Sequence, residues 1–112
     1  MTRLDFNEYQ KKALETAVYP DIGKNFIYTA IGLFGESGEL ANKLNKIIRD
    51  HNGEISEDAR KDLIAELGDC LWFLSAACSE LNCNLEDVAE QNLEKLSSRK
   101  ERNVISGNGD KR

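Results

Sequence analysis

Two pairs of carboxylates are the residues of this sequence best placed to do chemistry. Glu36 and Glu39 form one pair and Glu66 and Asp69 form the other, each with a spacing of three residues. Because residues three apart on a helix lie on the same face, each pair projects to one side of its predicted helix. If the two helices pack side by side, the four carboxylates converge and repel one another unless cations lie between them.

A cluster of carboxylate oxygens predicts a site for a hard divalent cation. Mg²⁺ and Mn²⁺ prefer oxygen ligands, and Mg²⁺ typically retains waters and shares a substrate phosphate. A di-iron bundle normally uses Glu-x-x-His pairs, whereas the single histidine, His51, falls in a predicted loop. The pattern therefore indicates a metal-assisted phosphate site, with solvated surface carboxylates as the alternative that spacing alone leaves open.

Glycines accompany the first carboxylate pair. Three of them fall inside one predicted helix, where each glycine costs about 1 kcal/mol relative to alanine. At about 100° per residue, Gly32 and Gly35 share a face with Glu36, Glu39 and Lys43. A glycine on that face lets another backbone or a ligand come close, so we expect the acidic face to be a contact or binding face.

A cationic strip follows near the end of the chain, formed by Asn92, Lys95 and Arg99 at spacings of three and four residues. These residues share one helical face. Lysine offers a point charge and arginine a bidentate fork, which suits the non-reacting phosphates of a polyphosphate substrate. The alternative is the solvated end of an amphipathic helix, where cations are favoured near the C-terminus.

Four predicted helices must position these groups. Apolar residues recur at helical spacing in each of them, and the chain contains a single proline, so we predict an all-α, four-helix bundle-like fold. The first predicted helix is opened by Asp5, with Glu8 in a capping box, and ends near Tyr19 and Pro20. The second runs from about 25 to 49. The third starts behind Ser56 and continues to about Leu81, and the fourth is capped by Asn84 with Asp87 at the box position. Residues 1–103 form the predicted domain and 104–112 a flexible tail.

Aromatic residues give two further expectations. Trp72 and Phe73 are predicted to be core residues, whereas Tyr19, Phe26 and Tyr28 are candidates for a base pocket.

Size, charge and cysteine usage exclude several classes of protein. The chain has 112 residues and a net charge of −5, which argues against coating DNA or an anionic membrane. Its apolar runs are too short to cross a bilayer, and no apolar signal region opens the sequence. The three cysteines lack CxxC spacing, so we expect a reducing cytoplasm and neither zinc nor disulfides.

The carboxylate motifs resemble those of a known family. Residues 35–39, GESGE, followed by residues 66–72, ELGDCLW, are similar to the ExxE…ExxD signature of the MazG-like nucleotide pyrophosphohydrolases. The 26 residues between Glu39 and Glu66 fit the gap of that family. Residues 92–99 resemble its closing NxxKLxxR segment, so the resemblance covers about residues 5–100.

The resemblance implies an all-α fold and Mg²⁺-dependent cleavage of nucleoside triphosphates to monophosphate and pyrophosphate, with Mn²⁺ able to substitute. Glu36 and Glu39 would be catalytic as well as metal ligands. The implied assignments are Glu36, Glu39, Glu66 and Asp69 as metal ligands and Asn92, Lys95 and Arg99 as substrate-binding residues. Single-domain members form homodimers or homotetramers whose active sites are lined by more than one subunit. Compact members of this length occur in phages, which would place the protein in the host cytoplasm.

Two rival interpretations remain open at this point. One is a non-catalytic helical module that works by oligomerisation or partner binding, with its carboxylates solvated or paired to lysines. The other is a phosphohydrolase that removes a different group from a nucleotide. The favoured function is removal of non-canonical nucleotides or adjustment of nucleotide pools, with no stable nucleic-acid or membrane partner.

Overall fold

The computed structural model describes residues 3–112, and within that range the chain forms four helices and no strand. The helices are α1 (Phe6–Glu15), α2 (Phe26–His51), α3 (Glu57–Glu80) and α4 (Leu85–Glu101). The all-α prediction is confirmed. None of these helices combines the length and the apolar character that a membrane span requires.

The first helix is shorter than predicted. It ends at Glu15, and the amide groups of Thr16 and Ala17 donate to the carbonyls of Ala13 and Leu14 at 3.0 and 3.1 Å. These bonds span three residues instead of four and tighten the last turn. The side chain of Thr16 also donates to the carbonyl of Ala13 at 2.7 Å. The local competition for that carbonyl ends the helix before the proline is reached.

Three of the four helices begin with a side-chain cap, and two of these caps, Asp5 and Ser56, were predicted. Asp5, Asn25 and Ser56 each accept a hydrogen bond from the amide group three residues on. Asn84 occupies the predicted N-cap position of α4, but the expected capping bond is absent, and its side chain instead donates to the Asp87 carboxylate at 3.4 Å.

Gln10 of α1 supplies the missing partner at the start of α4. Its side-chain oxygen accepts the amide hydrogen of Leu85 at 2.8 Å, and its side-chain nitrogen donates to the carbonyl of Cys83 at 3.0 Å and to Ser79 at 3.1 Å. A residue from a distant part of the chain thus satisfies a helix end that a local side chain usually caps. This contact fixes α4 against α1.

The helices form an open arrangement. The five-residue connection 52–56 makes α2 and α3 antiparallel neighbours. The helix α1 packs on α3, and α4 contacts α1 and α3 but not α2. The radius of gyration is 17.0 Å, against roughly 13 Å for a compact domain of this length.

The outer side of α2 is an exposed apolar stripe, formed by Ile27, Ile31, Phe34 and Ile48. Their exposed fractions are 70%, 63%, 73% and 63%. The spacing places them on one side of the helix, opposite the face that carries Glu36. The second helix therefore turns its acidic, glycine-containing face towards α3 and its most apolar face outwards.

Residues 104–112, predicted to be a flexible tail, form a series of bends and one turn beside the end of α4. The guanidinium of Arg112 donates to the carbonyls of Val104, Ile105 and Gly109 and closes this segment on itself. The domain boundary at 103 and the flexibility of the tail stay predictions.

Candidate active site

Three of the four predicted carboxylates converge where α2 meets α3. Glu36, Glu66 and Asp69 each place one oxygen within 4.8 Å of the others. Glu36 and Glu66 are half-buried, and Asp69 is exposed. The sequence spacing therefore predicted correctly that the ExxD face of one helix would lie against the glutamate-bearing face of the other.

A glycine one turn before Glu36 permits this approach. A Cβ atom built on Gly32 would lie closer than 3.0 Å to three ring atoms of Phe73. The Phe73 ring also packs against Trp72 with ring centroids 5.0 Å apart. Because Gly32 has no side chain, an aromatic residue of α3 rests directly on the backbone of α2, and the carboxylates one turn away are brought together.

The pKa of Glu36 is raised by its surroundings. Burial raises the pKa of its carboxyl, and the Glu66 carboxyl beside it raises the pKa further. The charges of Asp69, Glu66 and Glu39 act in the same direction. A carboxyl whose neutral form is favoured by three neighbouring carboxylates is a position where a cation would replace a proton.

Glu66 lies at the centre of the site. Its side chain is 14% exposed, and its Oε1 atom lies 3.2 Å from the Nζ atom of Lys43. Its Oε2 atom is buried and has no hydrogen-bond partner among the described residues. A buried carboxylate oxygen without a partner is costly unless something coordinates it. Oxygen donors of this kind suit a hard divalent cation.

Glu39 lies outside the cluster of three ligand atoms. It is exposed, and it reaches the site through its charge, which contributes to the raised pKa of Glu36. The ligand role predicted for Glu39 stays a prediction.

Lys43 and Tyr9 belong to the surroundings of the site, and sequence reasoning gave neither a role. Lys43 follows Glu36 and Glu39 on the same face of α2, so its spacing was the available indication. The pKa of the Tyr9 hydroxyl is raised by burial and then by the negative charge of Asp69. No spacing rule links Tyr9 to Asp69, because α1 meets α3 through tertiary packing.

The cationic strip lies on α4, which does not contact α2 in this single chain. Lys95 and Arg99 both pair with Asp110 of the tail, at 2.7 and 3.1 Å. Asn92 and Lys95 line a shallow groove of about 330 Å³ with Asp110. Because α4 does not contact α2, the strip does not meet the acidic face of that helix within one copy.

The predicted base-pocket tyrosines hold the connection between α1 and α2. Tyr19 and Tyr28 stack with ring centroids 4.8 Å apart, and the Tyr19 hydroxyl donates to Glu80 at 2.6 Å. Burial and this bond to Glu80 raise the pKa of Tyr19 to about 12. Glu80 also accepts the amide hydrogen of Gly23 at 3.0 Å. These contacts give Tyr19 and Tyr28 a structural role, while Phe26 is exposed.

Comparisons with known proteins show the family to which the chain belongs. Residues 27–104 match the model of the MazG nucleotide pyrophosphohydrolase domain, which covers both carboxylate pairs and the cationic strip. The chain is also 46% identical over 109 residues to the Gene 37 protein of Mycobacterium phage L5, which covers 93% of this chain and 96% of that protein. No solved structure matches the chain. The chain therefore belongs to the MazG nucleotide pyrophosphohydrolases, a family of hydrolases that generally depend on divalent metal ions.

Proposed function

We propose that the protein hydrolyses nucleoside or deoxynucleoside triphosphates to the monophosphate and pyrophosphate, with Mg²⁺ as the preferred ion and Mn²⁺ as a substitute. The observation that carries this proposal is the convergence of Glu36, Glu66 and Asp69 around a buried, unpartnered oxygen of Glu66. The role would be to remove non-canonical nucleotides or to adjust nucleotide pools in the cytoplasm, where these substrates occur.

The residues present fit a divalent ion. Glu36, Glu66 and Asp69 would hold it, since they offer three oxygen donors on two rigid helices. When bound, the ion supplies Lewis-acid chemistry, which polarises phosphate oxygens and makes a water nucleophilic at neutral pH. Lys43 adds a positive charge beside Glu66 and would balance part of the negative charge of the three carboxylates.

The proton of the attacking water would pass to a glutamate of α2. Glu36 and Glu39 are the two candidates, and Glu39 is the one outside the group of three ligand atoms. Its exposed carboxylate is therefore free to act as the general base. Lys95 and Arg99 would neutralise charge on the departing pyrophosphate, and Asn92 would orient the phosphates.

The separation of the strip from the acidic face of α2 favours an assembly of more than one copy. The helix α4 does not contact α2, whereas the apolar stripe of α2 leaves four large side chains exposed. Exposed apolar faces of this kind typically mark interaction sites. We infer a homodimer or homotetramer in which α4 of one copy completes the carboxylate site of another.

The test is an assay of pyrophosphate release from a panel of nucleotides with Mg²⁺ and with Mn²⁺. Glu39→Gln and Asp69→Asn should abolish release and retain helicity, and Glu54→Gln, an exposed carboxylate in the α2–α3 connection, should keep it. Release of orthophosphate in place of pyrophosphate would instead indicate a different phosphohydrolase. Full activity of both site variants would refute the proposal.

Thermal melting separates the enzyme from a non-catalytic helical module. Mg²⁺ should raise the melting temperature of the wild type, because an ion that binds only the folded state stabilises it. Asp69→Asn should reduce that rise. An unchanged melting temperature across a wide range of Mg²⁺ concentration would favour the non-catalytic module.

A further inference from the structure

The tail covers the cations that the proposed function assigns to the substrate phosphates. We propose that residues 104–112 form an autoinhibitory latch, in which the Asp110 carboxylate occupies on Lys95 and Arg99 the position of a substrate phosphate. The latch rests on the proposed function only in taking Lys95 and Arg99 as phosphate ligands. All of the latch except residue 104 lies beyond residues 27–104, the part of the chain that the family model matches.

The contacts of Asp110 are those that a phosphate would make. Its Oδ1 atom lies 2.7 Å from the Nζ atom of Lys95 and 3.1 Å from the Nη2 atom of Arg99. The same Nη2 atom also donates to the backbone carbonyl of Asp110. One carboxylate oxygen thus bridges a lysine and an arginine, the two cation types that proteins use to bind phosphate.

Arg99 cannot reach a substrate while the latch is closed. Its side chain is only 6% exposed, and its Nε atom is buried with no hydrogen-bond partner among the described residues. Arg112 closes the segment on itself through hydrogen bonds to the carbonyls of Val104, Ile105 and Gly109. Arg102, at the end of α4, donates to the carbonyl of Arg112 at 3.1 Å and ties the segment to that helix. For Arg99 to bind phosphate as a bidentate ligand, this segment must move.

The latch is weak enough to be displaced. The Asp110 side chain is 78% exposed, and ion pairs that involve exposed groups are screened by salt. A polyphosphate carries several negative charges, whereas Asp110 brings one. Because an anion binds only the molecules in which Asp110 has left Lys95 and Arg99, the closed latch lowers the apparent affinity in proportion to the open fraction. Removal of the Asp110 charge should therefore tighten anion binding.

The experiment is calorimetric titration of the full chain with tripolyphosphate in EDTA, so that neither metal binding nor hydrolysis contributes. Asp110→Asn should bind about three- to tenfold more tightly than the wild type, in line with the strength of one or two exposed ion pairs, and Asp110→Glu should resemble the wild type. Glu101→Gln removes one negative charge from the end of α4, so it controls for net charge and should change the affinity by less than Asp110→Asn. The difference between Asp110→Asn and the wild type should shrink at high salt.

Three results would overturn the latch. These are equal affinity in Asp110→Asn and wild type, weaker affinity in Asp110→Asn, and no tripolyphosphate binding by any variant. Pyrophosphate release from nucleotides by the wild type is measured separately, so the latch can fail while the proposed function stands. Conversely, tighter binding by Asp110→Asn in a protein that hydrolyses no nucleotide would retain the latch and refute the proposed function.

Discussion

Gly32→Ala tests the close contact that brings the carboxylates together. Helix propensity alone predicts that alanine stabilises the helix by about 1 kcal/mol. The structure predicts the opposite, because the new Cβ atom would lie closer than 3.0 Å to the ring of Phe73. That ring cannot withdraw freely, since it packs against Trp72 at 5.0 Å and Tyr28 at 6.4 Å between ring centroids.

The magnitude follows from two opposing contributions. Overpacking of this kind costs about 1–3 kcal/mol, and the gain in helix propensity returns about 1 kcal/mol, so we expect a net loss of about 1 kcal/mol. The entropy of unfolding for 112 residues is about 0.24 kcal/mol/K, taken from about 2.1 cal/mol/K per residue. Gly32→Ala should therefore lower the melting temperature by about 4 °C.

Gly35→Ala is the matched control. It lies in the same helix, and a Cβ atom at this position meets no atom within 4 Å. It should raise stability by about 1 kcal/mol, which leaves the two alanine variants about 8 °C apart. The melts should be made in EDTA at one protein concentration, because metal binding and association both shift the melting temperature.

A double variant identifies the cause. Phe73→Leu provides space at the contact, so adding it to Gly32→Ala should recover part of the loss and give a favourable coupling energy. A Gly32→Ala protein that melts as high as Gly35→Ala would refute the reasoning. Additive effects of Gly32→Ala and Phe73→Leu would also refute it, since the clash would then not involve that ring.

Two further predictions concern charged groups. Lys43→Gln should destabilise the metal-free protein by about 1–3 kcal/mol, because it removes the cation 3.2 Å from Glu66. Saturating Mg²⁺ should reduce this loss of stability. An equal loss with and without Mg²⁺ in thermal melts would contradict the prediction. The hydrogen bond from Tyr19 is the main cause that lowers the pKa of Glu80 below its ordinary value of 4.5. Between the lowered pKa and pH 4.5, the native state therefore binds fewer protons than the unfolded state. The stability that ionised Glu80 contributes is present above pH 4.5 and is lost as the pH falls through the lowered pKa. Glu80→Gln should therefore be less stable at neutral pH and show a shallower acid decline in melting temperature, and acid declines of equal slope would show that Glu80 does not contribute.

The sequence was most informative where the chemistry follows helical spacing. The i, i+3 positions of Glu66 and Asp69, together with Glu36 on the glycine face of α2, were enough to predict a carboxylate cluster, and three of the oxygens do converge. Glu39 departs from the group although the two helices still lie together beyond it, where Lys43 contacts Glu66. At about 100° per residue, Glu39 is turned about 60° around the helix axis from Glu36, which carries its side chain towards the edge of the shared face. Spacing within one helix does not determine how far such an edge position lies from the neighbouring helix.

Contacts between distant segments were beyond prediction. The pairing of Lys95 with Asp110 joins α4 to a segment with no periodicity, and the Gln10 bond to Leu85 joins residues 75 positions apart. Each contact depends on a single side chain that bridges two distant segments, and no repeating pattern in the sequence indicates such a contact. The outward orientation of the apolar stripe of α2 was also not predictable, because periodicity reveals an apolar face without revealing what covers it.

The connection between α2 and α3 also has a consequence for the order of folding. It spans only residues 52–56, and Asn52 and Gly53 adopt positive φ values of 54° and 78° that end α2 and reverse the chain. Contacts across so short a loop carry little closure entropy, so this helical hairpin can form early and independently of distant segments. The carboxylate cluster would then assemble with the first tertiary contacts of the chain, whereas the cationic strip would be positioned only when α4 docks on α1.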